Sequence, residues 1–322
     1  MRFDPVVYEH AAALLKLRPW DVSRDANLLV KAHATAYELY HHQPIVPGID
    51  VYNVEAEAYG AIVEEPAGNG VPSIPAPPFS EVSDLLALRP FDPSRDGRFP
   101  LLLEAAEILQ ATCSPAPVRV PISGPFSIAC GLLGFDNLLC ATLIEPETVA
   151  RTLDLLALNQ VSLCQEAAAR HLQVTIFESA ATIPLLSPTL FRDLVAPPLA
   201  RLVQAASSLA RAPVACIIGG DALPVIDDIM LGKPGYIICP SETDQEAFLT
   251  RMKDFPDTKV RVNMNPGIFT GTDREAVRRE VDRVWKLCRG LETVSLGSGV
   301  LPYEAVPETV LFARDYVQEL TG

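Results

Sequence analysis

The chain has 322 residues, 49% of them apolar and 20% charged, with 29 prolines and few aromatics. That is long enough for one large domain with a substantial buried core. Forty acidic residues against 26 basic ones leave a formal net charge of −14, which argues against a nucleic-acid binder with a basic footprint and against docking on anionic lipid. No apolar run reaches the ~18 residues that a spanning helix needs. The start, MRFDPVVYEHAAALLKLRPW, has acids and a histidine inside its apolar stretch and does not read as a signal peptide. The seven cysteines, Cys113, Cys130, Cys140, Cys164, Cys216, Cys239 and Cys288, are odd in number and contain no CxxC. This pattern predicts reduced thiols in a cytoplasmic protein, most of them serving as small core residues.

In chain order, residues 1–45 read as a helical extension, because apolar residues recur at helical spacing over 11–16 and 27–40. Two similar segments, RPWDVSRDANLLV at 18–30 and RPFDPSRDGRFPLL at 89–102, each place Asp, Ser and Asp ahead of an apolar run. This is the pattern of a helix N-cap. Strands are predicted near Ile49–Val54 and Ala61–Val63. PAGNGVPSIPAPPF at 66–79 has too many prolines and glycines for a regular element and reads as a long surface loop.

From residue 116 a rhythm of short β-branched runs and longer helical ones sets in. Strands are predicted at Pro117–Ile122, Val174–Phe177, Val214–Ile218, Tyr236–Cys239, Val260–Asn263 and Thr293–Leu296. Helices are predicted at Pro146–Arg170, Pro188–Leu209, Leu223–Met230, Asp244–Lys253, Asp273–Arg289 and Pro307–Leu320. With the two early strands this makes an α/β chain of about eight parallel strands. The architecture it predicts is a (β/α)8 TIM barrel, a single domain over 1–322 with additional N-terminal helices. A doubly wound open sheet is the alternative, but no GxGxxG follows a first strand.

Barrels carry their chemistry at the C-terminal ends of the strands. The polar or soft residues at those positions are Asp50, Asn53, Ser123, Glu178, Cys216, Cys239, Asn263, Asn265 and Ser298. Each has a plain structural reading as well. A cysteine in an apolar strand packs, Glu178 caps a helix or pairs with a cation, and Asn263 and Asn265 before Pro266 make a turn. Gly219 and Gly220 form a tight turn ahead of Asp221. His41 and His42 close a long helix, where a histidine complements the helix dipole, or His42 reaches the cleft.

The same segments carry a family resemblance. GPFSIACGLLGF, IFESAATIPLLSPTLF, APVACIIGGD, VNMNPG and VSLGSGVLP resemble, in order and spacing, successive strand-end motifs of the uroporphyrinogen decarboxylase superfamily. VYNVEAEAYGA at 51–61 resembles its corrinoid-dependent methyltransferase branch. The resemblance covers residues 45–320 and implies the barrel with N-terminal helices. The Arg-rich N-terminal segment of the decarboxylase proper is missing. Thiol methyltransferases of the family hold zinc through a His-x-Cys pair and a late Cys, and here Cys216, Ile218 and Ser298 stand at those places. Relatives that demethylate phenyl methyl ethers use one acid and two separated cysteines, which Glu178, Cys216 and Cys239 resemble in type and order.

The resemblance therefore implies a methyltransferase that takes a methyl group from a small substrate, an aromatic methyl ether, and passes it to Co(I) of a corrinoid on a separate protein. It implies Zn2+ on Glu178, Cys216 and Cys239 as Lewis acid, with the open fourth position of a catalytic site. Glu178, Asn263 and Asn265 would act at the substrate, and Asp50, Asn53 and Ser298 toward the cofactor, with Glu57 beside them. The chain has no Asp-x-His-x-x-Gly corrinoid module, so a corrinoid protein is expected as partner. The alternatives are a decarboxylase-like enzyme or thiol methyltransferase, and a non-catalytic protein that binds a corrinoid or tetrapyrrole.

Overall fold

All six β-branched runs from residue 116 onward form strands, and they join in parallel. The computed structural model describes residues 1–321. Its strands are β1 (Phe3–Val7), β2 (Arg119–Ser123), β3 (Gln173–Phe177), β4 (Ala215–Ile217), β5 (Tyr236–Cys239), β6 (Lys259–Met264) and β7 (Val294–Leu301). They lie in one sheet in the order β1-β7-β6-β5-β4-β3-β2, every pairing parallel. The sheet curls so that residues of all seven strands line a common lumen, among them Val6, Arg119, Thr175, Ile217, Tyr236, Asn263 and Val300.

The expected eighth strand is replaced by a single bridge. Ile45 donates its N–H to the Pro117 carbonyl at 3.0 Å and accepts from the Arg119 N–H at 2.9 Å. Two residues earlier, the Gln43 N–H donates to Asp4 Oδ1 at 2.9 Å. The segment 43–46 thus touches both edges of the sheet without forming a strand of its own.

Two predictions for the N-terminal third are corrected. The stretch read as wholly helical opens with β1, whose partner β7 lies at the other end of the chain. A pairing so remote leaves no local signal beyond the alternation in FDPVV. The strands expected at 49–54 and 61–63 do not form. The Asn53 N–H closes a turn on the Asp50 carbonyl at 3.0 Å, and a short helix follows at Val54–Ala58. Past Gly60 the chain is irregular, with one bridge between Glu64 and Ser73.

The later helices fall where periodicity put them, at Pro146–Ala169, Pro188–Ala210 with a π-turn inside, Gln245–Met252, Arg274–Cys288 and Pro307–Thr321. Asp25, Asp244 and Asp273 cap helices by accepting from backbone N–H groups. Of the two RPxDxSRD segments, only the first caps a helix through its second Asp. In the second, Asp96 instead accepts from the Asp92 N–H at 2.6 Å, and the helix Phe99–Thr112 starts later. The Pro/Gly-rich segment 66–79 is irregular, as expected. It is fastened where Arg18 donates to the Pro66 carbonyl and Asn53 to the Pro72 carbonyl.

Strand alternation sorts the side chains into two sets. Val120, Ile122, Val174, Ile176, Cys216, Ile237, Cys239, Val260 and Val262 face the helices and join the main apolar core. Arg119, Thr175, Phe177, Ile217, Tyr236, Ile238, Arg261 and Asn263 face the lumen. Among the described residues, no single helix is long and apolar enough to cross a membrane.

Candidate functional site: the lumen of the curled sheet

The lumen is not packed solid, as parallel barrels usually are. It holds a cavity of about 220 Å³. Tyr8, Tyr52, Ser179, Gly219 and Gly220 line its mouth beyond the strand C-terminal ends. Tyr8 and Tyr52 meet Phe177 edge-on, with ring centroids 6.3 and 6.2 Å away. The three rings form an aromatic collar, and Val6, Val46, Ile217 and Val300 pack against Tyr8 and Phe177.

Below the collar the lining turns polar. Arg261 is only 8% exposed. Its Nε donates to Asn263 Oδ1 at 2.9 Å, and the Asn263 carbonyl accepts from Gln245 at 2.8 Å. Gly297 makes room for the guanidinium stem, since a Cβ there would stand 2.4 Å from Arg261 Cδ and 2.5 Å from the Asp4 carbonyl oxygen. Arg119 lies over the Tyr236 ring, 5.4 Å from its centroid. Burial pushes the Tyr236 and Tyr8 phenols above their ordinary pKa, so both keep their protons. His42 is buried against the cavity, and burial, aided by His33, pulls its pKa down to about 3. Its ring is neutral at any ordinary pH.

Of the residues expected at the site, Asn263 lines the lumen, while the others lie elsewhere. Glu178 is fully buried at the end of β3. Its Oε1 accepts from the Ser127 N–H at 2.7 Å and the Ser127 hydroxyl at 2.6 Å, and its Oε2 accepts from the Phe126 N–H at 3.1 Å. These donors sit at the start of the helix Pro125–Leu133, so Glu178 ties β3 to the helix that follows β2. Gly124 permits the approach, because a Cβ there would lie 2.3 Å from Glu178 Oε2. Burial raises the carboxyl to about 7 against the lowering by these donors. Glu55 plays the same part on β2, accepting from the Ser123 N–H at 2.6 Å, the Ser123 hydroxyl at 2.7 Å and Gln160 at 3.0 Å.

Cys216 and Cys239 face the helical layer, one residue out of phase with the lumen-facing Ile217 and Ile238. Burial pushes both thiols well above their ordinary pKa; Glu178 adds to this at Cys216, and Cys288 at Cys239. Zinc takes a free carboxylate beside its thiolates, whereas here both Glu178 oxygens are already engaged by Phe126 and Ser127. Among the described residues, no three His, Cys, Asp or Glu side chains are grouped to hold a metal. The set Glu178, Cys216 and Cys239 therefore does not fit a zinc ion.

Asp50 and Asn53 lie off the lumen. Arg98 grips Asp50 with two bonds of 2.7 Å and reaches Glu57, which Arg24 also pairs with. Asn53 donates to Asp50 at 3.2 Å. This network anchors the turn and short helix that replace the expected strand. Asn265 is exposed and accepts from the Gly267 N–H at 2.8 Å, the turn-making role. Ser298 is buried between β7 and β1, where its hydroxyl accepts from the Val6 N–H at 3.3 Å.

The residues that sequence reasoning passed over are Arg119, Thr175, Tyr236 and Arg261. These four stand at the first or third position of their strands, whereas site residues are expected at the C-terminal ends. A signal was present. In PVRVPI and VRVNM an arginine takes a lumen-side position within a β-branched run, where an apolar residue normally sits.

A parallel, helix-wrapped sheet around a ligand-sized lumen is the scaffold of α/β barrel proteins, whose sites open at the strand C-terminal ends. Within that class the assignment is specific: the chain belongs to the uroporphyrinogen decarboxylase (URO-D) family, whose sequence model matches residues 6–320. Among solved structures it is similar to a methyltransferase from Methanosarcina mazei, at 17% sequence identity and a TM-score of 0.78, over 98% of this chain and 94% of that one. At that identity the likeness establishes the fold. No curated protein sequence matches the chain.

Proposed function

We propose that this protein is a methyltransferase that takes a methyl group from a small substrate held in the lumen. The acceptor is a corrinoid carried by a separate protein that docks at the collar. The observation that carries the reading is the lumen itself, a small cavity under an aromatic collar that no cysteine thiol reaches. None of the seven cysteines lines it, and the one carboxylate on its lining is Glu242, beyond the end of β5. A protein that activates methyl transfer without a thiolate needs its nucleophile from outside, and reduced cobalt of a corrinoid is such a nucleophile. The structural likeness to a methyltransferase and the corrinoid-branch resemblance of VYNVEAEAYGA support the same reading.

Tyr8, Tyr52 and Phe177 suit an aromatic methyl ether, packing its ring edge-on and excluding water. As the methyl group departs, the electron pair of the broken C–O bond stays on oxygen. A charge developing there is stabilised by preplaced donors, and toward the C-terminal end of β6 the lumen offers the Asn263 amide. No step is routed through zinc.

The size of the cavity argues against the porphyrinogen alternative. About 220 Å³ lies below the ~300 Å³ at which sites for drug-sized ligands begin, and a tetrapyrrole with eight carboxylates exceeds that. The test combines the purified protein, reduced cobalamin and a panel of methoxylated aromatics, with phenol release followed by chromatography. The expected result is a demethylated phenol formed only when protein and Co(I) are both present. No phenol from any member of the panel would overturn the reading.

A further inference from the structure

Among the described residues, five of the nine buried side-chain nitrogens and oxygens that lack a hydrogen-bond partner belong to residues lining the lumen: both ring nitrogens of His42, Arg119 Nη1, Thr175 Oγ1 and Tyr236 Oη. These groups have no protein partner, and their clustering in one cavity leaves them free to bind what enters it. The cluster also carries charge. Arg119 and Arg261 both line the cavity, and among the described residues neither forms a salt bridge with a carboxylate. Asp4, the acid nearest in effect to Arg261, is engaged by Arg2 at 2.9 Å and by the Gln43 N–H. Arg119 feels the imbalance: burial lowers its pKa, and the charge of Arg261 lowers it further. A protein of net charge −14 has no shortage of carboxylates, yet these two guanidiniums have none.

Apart from the neutral His42 ring, which has one donor and one acceptor nitrogen, the unsatisfied groups can all donate. Arg119 Nη1 is a donor, the Thr175 and Tyr236 hydroxyls each have a proton to give, and Arg261 uses only its Nε on a protein acceptor. Donors and cations without acceptors or anions make a receptor for an anion, and paired arginines suit the planar carboxylate best. Beside them Phe177, Ile217 and Ile238 give the same cavity an apolar wall.

We infer that Arg119 and Arg261, with the hydroxyls of Thr175 and Tyr236, bind the anionic head of a small organic acid whose apolar body lies along Phe177, Ile217 and Ile238 toward the collar. This deepens the proposed function and rests on it in one respect: the methyl donor is then a methylated organic acid, with the acid at the floor and the methyl group toward the mouth.

The test is binding alone, by calorimetry and thermal shift, with benzoate, benzenesulfonate and phenyl phosphate as probes and benzamide as the neutral counterpart. The expected result is that benzoate binds and raises the melting temperature, while benzamide binds at least about tenfold more weakly. Arg119→Met and Arg261→Met should each lose benzoate binding without changing the response to benzamide, and Arg261→Lys should retain part of it. If the methionine variants do not fold, the lysine variant and the benzoate–benzamide comparison in the wild type carry the test. Tighter binding of phenyl phosphate or benzenesulfonate than of benzoate would keep the anion site and change its preferred head group. Equal binding of benzamide and benzoate, unchanged binding in folded methionine variants, or no binding of any of the three anions would overturn it. None of these probes has a methyl group to give. Benzoate binding together with no phenol from the methoxylated panel would refute the proposed function and leave the anion site standing, and phenol release with no binding of any anion would refute the anion site alone.

Discussion

The two faces of the sheet treat polar groups in opposite ways. On the face toward the helices, each buried acid has its donors: Glu178 has three from Phe126 and Ser127, and Glu55 has Ser123 and Gln160. On the next two strands, Cys216 and Cys239 pack in the apolar core. On the lumen face, Arg119, Thr175, Tyr236 and His42 keep donors or ring nitrogens with nothing to bind. Saturated polar groups hold a fold together, whereas groups in a cavity without a protein partner are free to bind what enters it. The difference assigns structure to the outer face and recognition to the inner one.

The largest expected effect is on the saturated face. Glu178→Ala leaves three buried donors without an acceptor and should lower stability by about 3–5 kcal/mol in chemical denaturation. A smaller loss in Glu178→Gln should depend on pH. The folded carboxyl titrates near 7, above its ordinary 4.5. Its protonated form is therefore favoured by folding, and its contribution is full below about 4.5 and lost as pH rises through 7. The penalty for Glu178→Gln should accordingly shrink between pH 5 and pH 8. A penalty independent of pH would contradict this.

Next comes the junction between the faces. Gly297→Ala places a Cβ against Arg261 Cδ and the Asp4 carbonyl, and the backbone oxygen cannot swing away. Overpacking of this kind costs about 1–3 kcal/mol, and melting curves should show it together with weakened benzoate binding, because Arg261 must move. Cys216→Ala and Cys239→Ala should each cost about 1 kcal/mol in packing. Neither should alter the metal content of the purified protein. A stoichiometric metal lost in both variants would reverse the assignment of the two faces. The smallest effect is expected for Tyr236→Phe, within about 0.5 kcal/mol of wild type, since the hydroxyl it removes has no protein partner.

The fold was legible wherever its signals were local. The helices after residue 145 and the strands after residue 116 follow from period and caps, as with Asp244 and Asp273. β1 was not legible, because FDPVV is held by β7, almost 300 residues away in the chain. The turn at Asp50–Asn53 was misread as strand because what fixes it is Arg98, a partner far along the sequence. The site was legible in part. Asn263 was found, but Cys216 and Cys239 were selected for their chemistry and their place near strand ends. Strand parity, one residue against the next, sends them outward and sends Ile217 and Ile238 inward. The same parity, applied to the arginines in PVRVPI and VRVNM, points to Arg119 and Arg261.

The measurement that tests the central claim most directly is urea unfolding of the Arg119→Met/Arg261→Met double variant without ligand, compared with Glu178→Ala. If the inner face is built for a ligand, removing its two unpaired charges leaves stability within about 1 kcal/mol of wild type or raises it, while Glu178→Ala falls far below. A double variant as unstable as Glu178→Ala would show that the lumen arginines hold the fold together and would contradict the division between the two faces.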